Sequence, residues 1–231
     1  MQKSEARSQN SGIALICFAM EEEAKAVQWK AFHSECKSLI TGIGKQNAER
    51  TFRSLLNRVT PQCVFTCGFA GGLNPELKIG DVVFEVPLTP SDGERESAPA
   101  RMASRLLAAG AKPARFFCAD HIAITVAEKQ ELRRTTGADA VEMESEAIHA
   151  VCRERGIPCA TVRVISDTAG EDLPLDFNVL ANADMSLNYG KLALAIAKSP
   201  GKIVALMRFQ KKTSFAGKRL AEVLKKVIEP E

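Results

Sequence analysis

The sequence predicts an α/β fold: a single-domain, three-layer sandwich with a mixed central sheet flanked by helices. Three observations predict it. Short apolar runs alternate with helical stretches along the chain. Glycine-rich turns follow several of those runs. The 231 residues, 45% of them hydrophobic, supply one substantial core rather than two.

The elements follow in order. Residues 1–11 are polar, lack the apolar stretch of a signal peptide, and read as a disordered lead-in; residues 12–231 form the domain. Residues 12–19 are a short apolar run ahead of three acids, which predicts a buried first strand. Helix then begins at 21, its acids suited to the positive end of the helix dipole. Residues 29–41 predict two short strands, and a helix follows from Gly44-Lys45 to about Asn57. Residues 62–69 are a third buried strand and 80–88 another; 87–100 are a polar, proline-bearing loop. Residues 101–109 predict helix, 115–125 mostly strand, 127–135 helix and 138–143 strand. A helix over 144–155 ends at Gly156 with Pro158 just beyond, and 158–166 are strand. From Asp176 the chain predicts helix, broken near Pro200-Gly201 and around Thr213. No internal repeat interrupts the alternation.

Composition excludes several classes. A formal net charge of +3 is too mild to argue for nucleic acid. No run approaches the roughly 18 apolar residues of a membrane helix. Seven cysteines are an odd number, and Cys17, Cys63, Cys67, Cys118 and Cys159 sit inside apolar runs. There is no Cys-x-x-Cys, and His33, His121 and His149 are scattered. Buried thiols in a reducing compartment fit this better than disulfides or zinc, so the expectation is a soluble cytoplasmic protein with no structural metal.

The most informative segment is 140–167. It sets Glu142, Glu144 and Glu146 at one strand-to-helix junction and Asp167 at the end of the next apolar strand. In an open parallel sheet consecutive strands point the same way, which brings both acidic groups to the carboxyl edge, where ligands bind. A lone strand-end acid is as often an ordinary surface residue; paired with Met143-Glu144, Asp167 points to chemistry. Glu21-Glu22-Glu23, after the first strand, brings at least one more acid to that edge.

Two glycine-rich loops follow apolar strands. Gly42-Ile43-Gly44-Lys45 lacks the third glycine of a dinucleotide fingerprint, and there is no Walker pattern. Such a loop lets backbone N–H groups approach an anion or a sugar, and it equally serves as a tight turn. Gly68-Phe69-Ala70-Gly71-Gly72-Leu73 is more specific: its small residues permit close approach at a sheet edge, and Phe69 offers either a flat apolar wall for a ring or a core side chain. Carboxylates converging on one crevice suit general acid–base work. One is held protonated to assist a leaving group, another activates water, and a third accepts two hydrogen bonds from a vicinal diol.

Phe18-Ala19-Met20-Glu21-Glu22-Glu23, Thr41-Gly42-Ile43-Gly44-Lys45, Gly68–Leu73 with Gly80-Asp81-Val82-Val83, Val141-Glu142-Met143-Glu144-Ser145 and Val162-Arg163-Val164-Ile165-Ser166-Asp167 occur in that order. Together they resemble the purine nucleoside phosphorylase superfamily, most closely its methylthioadenosine/S-adenosylhomocysteine nucleosidase branch, over about residues 12–196. The resemblance implies a nucleoside phosphorylase-like fold, a homo-oligomer, a small-molecule purine nucleoside as substrate and no cofactor, with phosphate as the alternative co-substrate. It also implies roles: Glu23 activates the attacking water, Met143 and Glu144 lie under the ribose with Glu144 accepting from its hydroxyls, and Asp167 protonates purine N7. Arg163 matches the basic residue upstream of that acid. Phe69 and Gly71 fall in the glycine-rich segment of the site, and Ile122, with His121, falls in the base pocket.

Two departures stand out. Phe69 replaces a Ser or Thr of the nucleosidases, and the segment after Val83 lacks their aromatic loop at the 5′ side and dimer interface. Both point away from methylthioadenosine as substrate. Ala127-Glu128-Lys129, Thr136-Gly137-Ala138, Leu173-Pro174 and the basic tail look more like the hopanoid-associated phosphorylases, which implies an adenosylated lipid with a bulky 5′ group. Phosphorolysis needs a cationic cradle; Lys45 is a candidate, but no arginine cluster accompanies it, and Glu23 would repel phosphate. The reading is therefore hydrolytic cleavage of an N-ribosidic bond, with phosphorolysis and a non-catalytic nucleoside- or lipid-binding protein as alternatives. Finally, Lys202, Arg208, Lys211, Lys212, Lys218, Arg219, Lys225 and Lys226 accompany Ile203, Leu206, Met207, Phe209, Phe215, Leu220, Val223 and Leu224. Such a basic amphipathic helix packs its apolar stripe on the domain or makes a weak peripheral membrane contact.

Overall fold

The computed structural model describes residues 13–27, 36–87, 97–182, 188–199 and 201–228. Within them the alternating apolar runs pair into one eight-stranded mixed sheet. β1 (Ala14–Phe18), β2 (Cys36–Ile40), β3 (Cys63–Gly72) and β8 (Cys159–Asp167) lie in the order β2-β1-β3-β8, all parallel. β4 (Val82–Glu85) adds antiparallel to β8 and carries β5 (Lys112–Pro113) on its far side. β6 (Phe116–Cys118) and β7 (Ala140–Glu142) leave this path: β7 pairs antiparallel with the last residues of β3, and β6 pairs parallel with β7.

Helices cover both faces, and the period-2 alternation of β1 shows how. Ile16 and Phe18 face a core shared with Phe65, Val162 and Val164, closed by Met102 and Leu106 of α3 (Ala98–Ala108) and by Leu220, Val223 and Leu224 of α8 (Lys202–Ile228). Leu15 and Cys17 face the opposite core, with Val64, Phe52 of α2 (Lys45–Leu56), and Ile148 and Val151 of α5 (Ser145–Arg155). β8 is buried at all nine positions, as a strand covered on both faces requires. The chain ends α5 at Gly156, whose φ of 64° is the left-handed conformation that favours glycine. The remaining helices are α1 (Glu21–Ala26), α4 (Val126–Thr136), α6 (Phe177–Leu180) and α7 (Tyr189–Lys198). No helix among the described residues is long and apolar enough to cross a membrane.

The structure corrects three expectations. Of 115–125 only Phe116–Cys118 is strand; the following residues run as irregular chain that carries His121–Ala123 to the sheet edge. α8 continues through Thr213, whose hydroxyl bonds the Gln210 carbonyl of its own helix (3.0 Å) and so satisfies locally the group that was expected to break it. β7 and β8 run in opposite directions. Their acids still meet because β7 pairs only the far end of β3, with Val141 opposite Gly71, the residue that Asp167 faces from the other side. The lead-in at 1–11, the first of the two strands expected over 29–41, residues 88–96 of the proline-bearing loop and Pro200 lie outside the described residues.

Candidate active site

A cleft of about 370 Å³ opens where β1, β3 and β8 end. Glu23 reaches it from the first turn of α1. Its Oε2 accepts the backbone N–H groups of Ala19 (2.9 Å) and Met20 (3.1 Å), and its Oε1 accepts that of Phe69 (2.9 Å). Glu21 and Glu22 are exposed, whereas Glu23 is buried. Burial pushes its carboxyl above the usual carboxylate value, against the pull of Arg163 and the three N–H donors. Gly68 makes this seat available. A Cβ there would collide with Glu23 Oε1 and stand 2.5 Å from Arg163 Nη1.

Arg163, fully buried on β8, ties the acids together from beneath. Its Nη1 donates to the Cys67 carbonyl (3.0 Å), and its Nη2 reaches Glu142 Oε2 (2.6 Å), Glu144 Oε2 (3.1 Å) and Thr66 Oγ1 (3.3 Å). It sits behind the cleft wall as a counter-ion rather than on the wall. Glu142 also accepts from the Ser145 hydroxyl (2.6 Å) and from the N–H groups of Glu144 and Ser145. Burial opposes its charge, but Arg163 and these donors outweigh burial and hold it below the usual value. Glu144 accepts the Gly44 N–H (3.0 Å) from the loop after β2. Burial pushes it up to about 7; Glu142 and Glu23 add to the shift, and Arg163 and Gly44 oppose it. The third acid of the cluster, Glu146, points away to Lys45.

Asp167 closes β8. Its Oδ1 accepts the Ser166 hydroxyl (2.7 Å), and its Oδ2 lies 2.5 Å from Lys129 Nζ. Lys129 has no exposed surface and also donates to the carbonyls of Thr168 (3.0 Å) and Glu171 (2.8 Å). Sequence reasoning gave Lys129 no role. It is one cation among several on the polar helix α4, and only the packing of α4 against the end of β8 singles it out. Gly71 lines the cleft beside Asp167; a Cβ there would stand 3.3 Å from Asp167 Oδ2.

Phe69, Ile43 and Met143 form apolar wall, and Met20, Leu173, Phe177, Ala181 and Phe209 continue it outward. Phe177 and Phe209 are in ring contact, centroids 5.8 Å apart. Ile122 also lines the cleft, and both of its backbone groups pair with the Asn178 carboxamide: its N–H donates to Oδ1 and its carbonyl accepts from Nδ2, each at 2.9 Å. His121 pairs with Glu128 (2.7 Å).

The charge of the lining is one-sided. Glu22, Glu23, Glu142, Glu144 and Asp167 contribute to it, and among the described residues no Lys or Arg does. Lys45, the candidate phosphate ligand, is bridged to Asp120 (3.0 Å) and Glu146 (3.1 Å). The site therefore combines buried carboxylates in different electrostatic states with an apolar channel. That arrangement suits acid–base cleavage of a neutral or cation-forming substrate and disfavours an anionic nucleophile.

A family model described as the phosphorylase superfamily matches residues 35–199. The chain is 32% identical over 163 residues to a 5′-methylthioadenosine/S-adenosylhomocysteine nucleosidase of Anoxybacillus flavithermus, covering 60% of this chain and 70% of that protein. It is 27% identical over 171 residues to an aminodeoxyfutalosine nucleosidase of Campylobacter jejuni, covering 64% and 75%. In structure it is similar to the futalosine hydrolase of Helicobacter pylori, with a TM-score of 0.67, 21% identity, and coverage of 96% of this chain and 99% of that one. At that identity the likeness shows the fold.

Proposed function

The chain belongs to the phosphorylase superfamily, and from that premise we propose that it hydrolyses the N-ribosidic bond of a purine nucleoside, adenine being the base. The observation that carries the hydrolytic reading is the cleft lining, with five carboxylates and, among the described residues, no Lys or Arg to hold phosphate. The same reading places the enzyme in the cytoplasm and gives it no cofactor.

Each group takes a role that its surroundings support. Glu23, fixed by three N–H groups, orients the attacking water and takes its proton. Glu144 accepts from the ribose hydroxyls while Met143 packs under the sugar. Asp167 takes up a proton from solvent as the nucleoside enters and gives that proton to N7 as the bond to the sugar breaks. The Lys129 ammonium at Oδ2 then stabilises the carboxylate left behind. Adenine's edge carries a ring nitrogen acceptor beside an amino donor, the pattern that the Asn178 carboxamide presents to Ile122, so the base displaces Asn178 and takes over those two backbone bonds. Phe69 supplies a face for the ring. Arg163 holds the acids in place from below.

The apolar channel of Phe177, Phe209, Leu173 and Ala181 fits a bulky apolar 5′ substituent, of which an adenosylated hopanoid is one case. Chromatography of reactions with adenosine and with derivatives carrying 5′ alkyl groups of increasing length tests the reading: free adenine appears, and kcat/KM rises with chain length. Nucleoside that binds but is recovered intact means a binding protein instead.

A further inference from the structure

α8 has 27 residues and so spans about 40 Å. Its two halves behave differently. The second buries Ala216, Leu220, Val223, Leu224 and Val227 in the core. The first touches the body through Phe209 and Thr213, which line the cleft, through Lys212, paired with Glu171, and through one edge of the Phe215 ring beside Gly80. It turns large apolar surface to solvent: Ile203, Val204, Met207 and Phe215 are each between 42% and 55% exposed. At about 100° per residue these four share one arc with the exposed Arg208, Lys211 and Lys218, opposite Phe209 and Thr213. α7 adds exposed Leu194 and Lys198, while its Lys191 ammonium is held by the carbonyls of Val179 and Ala181.

Charge is concentrated here too. Residues 188–228 carry ten Lys and Arg against one acid, Glu222, in a chain of net charge +3. Apolar side chains interleaved with long cationic ones match a bilayer interface, where the apolar groups enter the acyl boundary and the cations reach lipid phosphates. A second copy fits this face poorly, because a two-fold contact would set the same cations against each other.

We propose that the outward face of α7 and the first half of α8 docks on an anionic phospholipid bilayer. The cleft then lies one helix diameter, about 10–12 Å, from the lipid. The consequence, that nucleosides with apolar 5′ groups are drawn from the membrane, rests on the nucleosidase reading; the docking does not.

Sedimentation with vesicles of phosphatidylcholine alone, and of phosphatidylcholine mixed with phosphatidylserine, tests it at low and high salt. The protein is expected to sediment with the anionic vesicles only, and less at high salt. One cation near such a surface is worth about fivefold in affinity, so Arg208→Glu/Lys211→Glu lowers binding at least about 25-fold. Val204→Ser/Met207→Ser also lowers it. Both variants keep the wild-type circular dichroism and the wild-type rate on a water-soluble nucleoside, and any adenine assay is run without lipid, so a failed nucleosidase reading and a failed docking reading are told apart. Three results overturn the proposal: no binding of folded wild-type protein to anionic vesicles, equal binding to neutral ones, or a wild-type dimer that Met207→Glu dissociates.

Discussion

Lys129 Nζ lies 2.5 Å from Asp167 Oδ2, and both side chains are almost wholly out of solvent. Removing one member of a buried pair strands the other, at a typical cost of about 3–5 kcal/mol. Lys129→Met is therefore expected to lower stability by about that amount in denaturant unfolding. Lys129→Met/Asp167→Asn recovers much of the stability and none of the activity. Additive losses would show that the two side chains do not interact.

Asp167→Asn alone keeps its one oxygen for Lys129, while its new amide donates to the Ser166 hydroxyl, which turns to the Ala70 carbonyl. The fold is expected to stand, at a stability lowered by the loss of the charge that faces Lys129. The amide has no acidic proton for N7, and adenine release falls about 10²–10⁴-fold. Wild-type turnover in this variant would remove Asp167 from the chemistry.

Glu144 makes two pH-dependent predictions. Its folded value of about 7 lies above the ordinary carboxylate value of 4.5, so the folded state binds the extra proton between them. Its contribution to stability is present below about 4.5 and is lost as pH rises through about 7. Thermal unfolding of wild type is expected to show that loss, and Glu144→Gln to lack it. In kinetics, KM for ribosides falls as pH rises through the same range, because only the ionised group accepts from both hydroxyls. Glu144→Gln abolishes this dependence and harms ribosides more than 2′-deoxyribosides; equal harm to both means that Glu144 holds only the Gly44 loop.

Asn178→Ala frees the two backbone groups of Ile122. With its internal competitor gone, adenine nucleoside is expected to bind several-fold more tightly, read as a lower KM at unchanged kcat. A higher KM would mean that Asn178 shapes the pocket rather than fills it.

The sheet, its glycine-rich edge and the acids Glu23, Glu144 and Asp167 were legible because each sits where an apolar run stops, and period-2 patterns locate such ends well. Strand direction was not legible. β7 has only three residues, and its antiparallel pairing with β3 follows from tertiary packing that no local pattern encodes. Lys129 was invisible for a related reason: burial of a lysine on a polar helix depends on what that helix meets. Arg163 was visible, but its position behind the wall was not; its partners Glu142 and Glu144 lie 21 and 19 residues away along the chain. The basic C-terminal stretch read as amphipathic helix broken around Thr213, whereas the structure runs it as one helix with a packed second half and a largely exposed first half.

The central claim is that water, not phosphate, attacks the sugar. Incubation of the enzyme with an adenine nucleoside in phosphate-free, ¹⁸O-labelled water, with a parallel reaction in phosphate, tests it most directly by mass spectrometry of the sugar product. The cleft's carboxylates and its lack of a described Lys or Arg predict free adenine and a labelled free sugar at a rate that phosphate does not raise. Strict dependence on phosphate, with a sugar 1-phosphate as product, would contradict it.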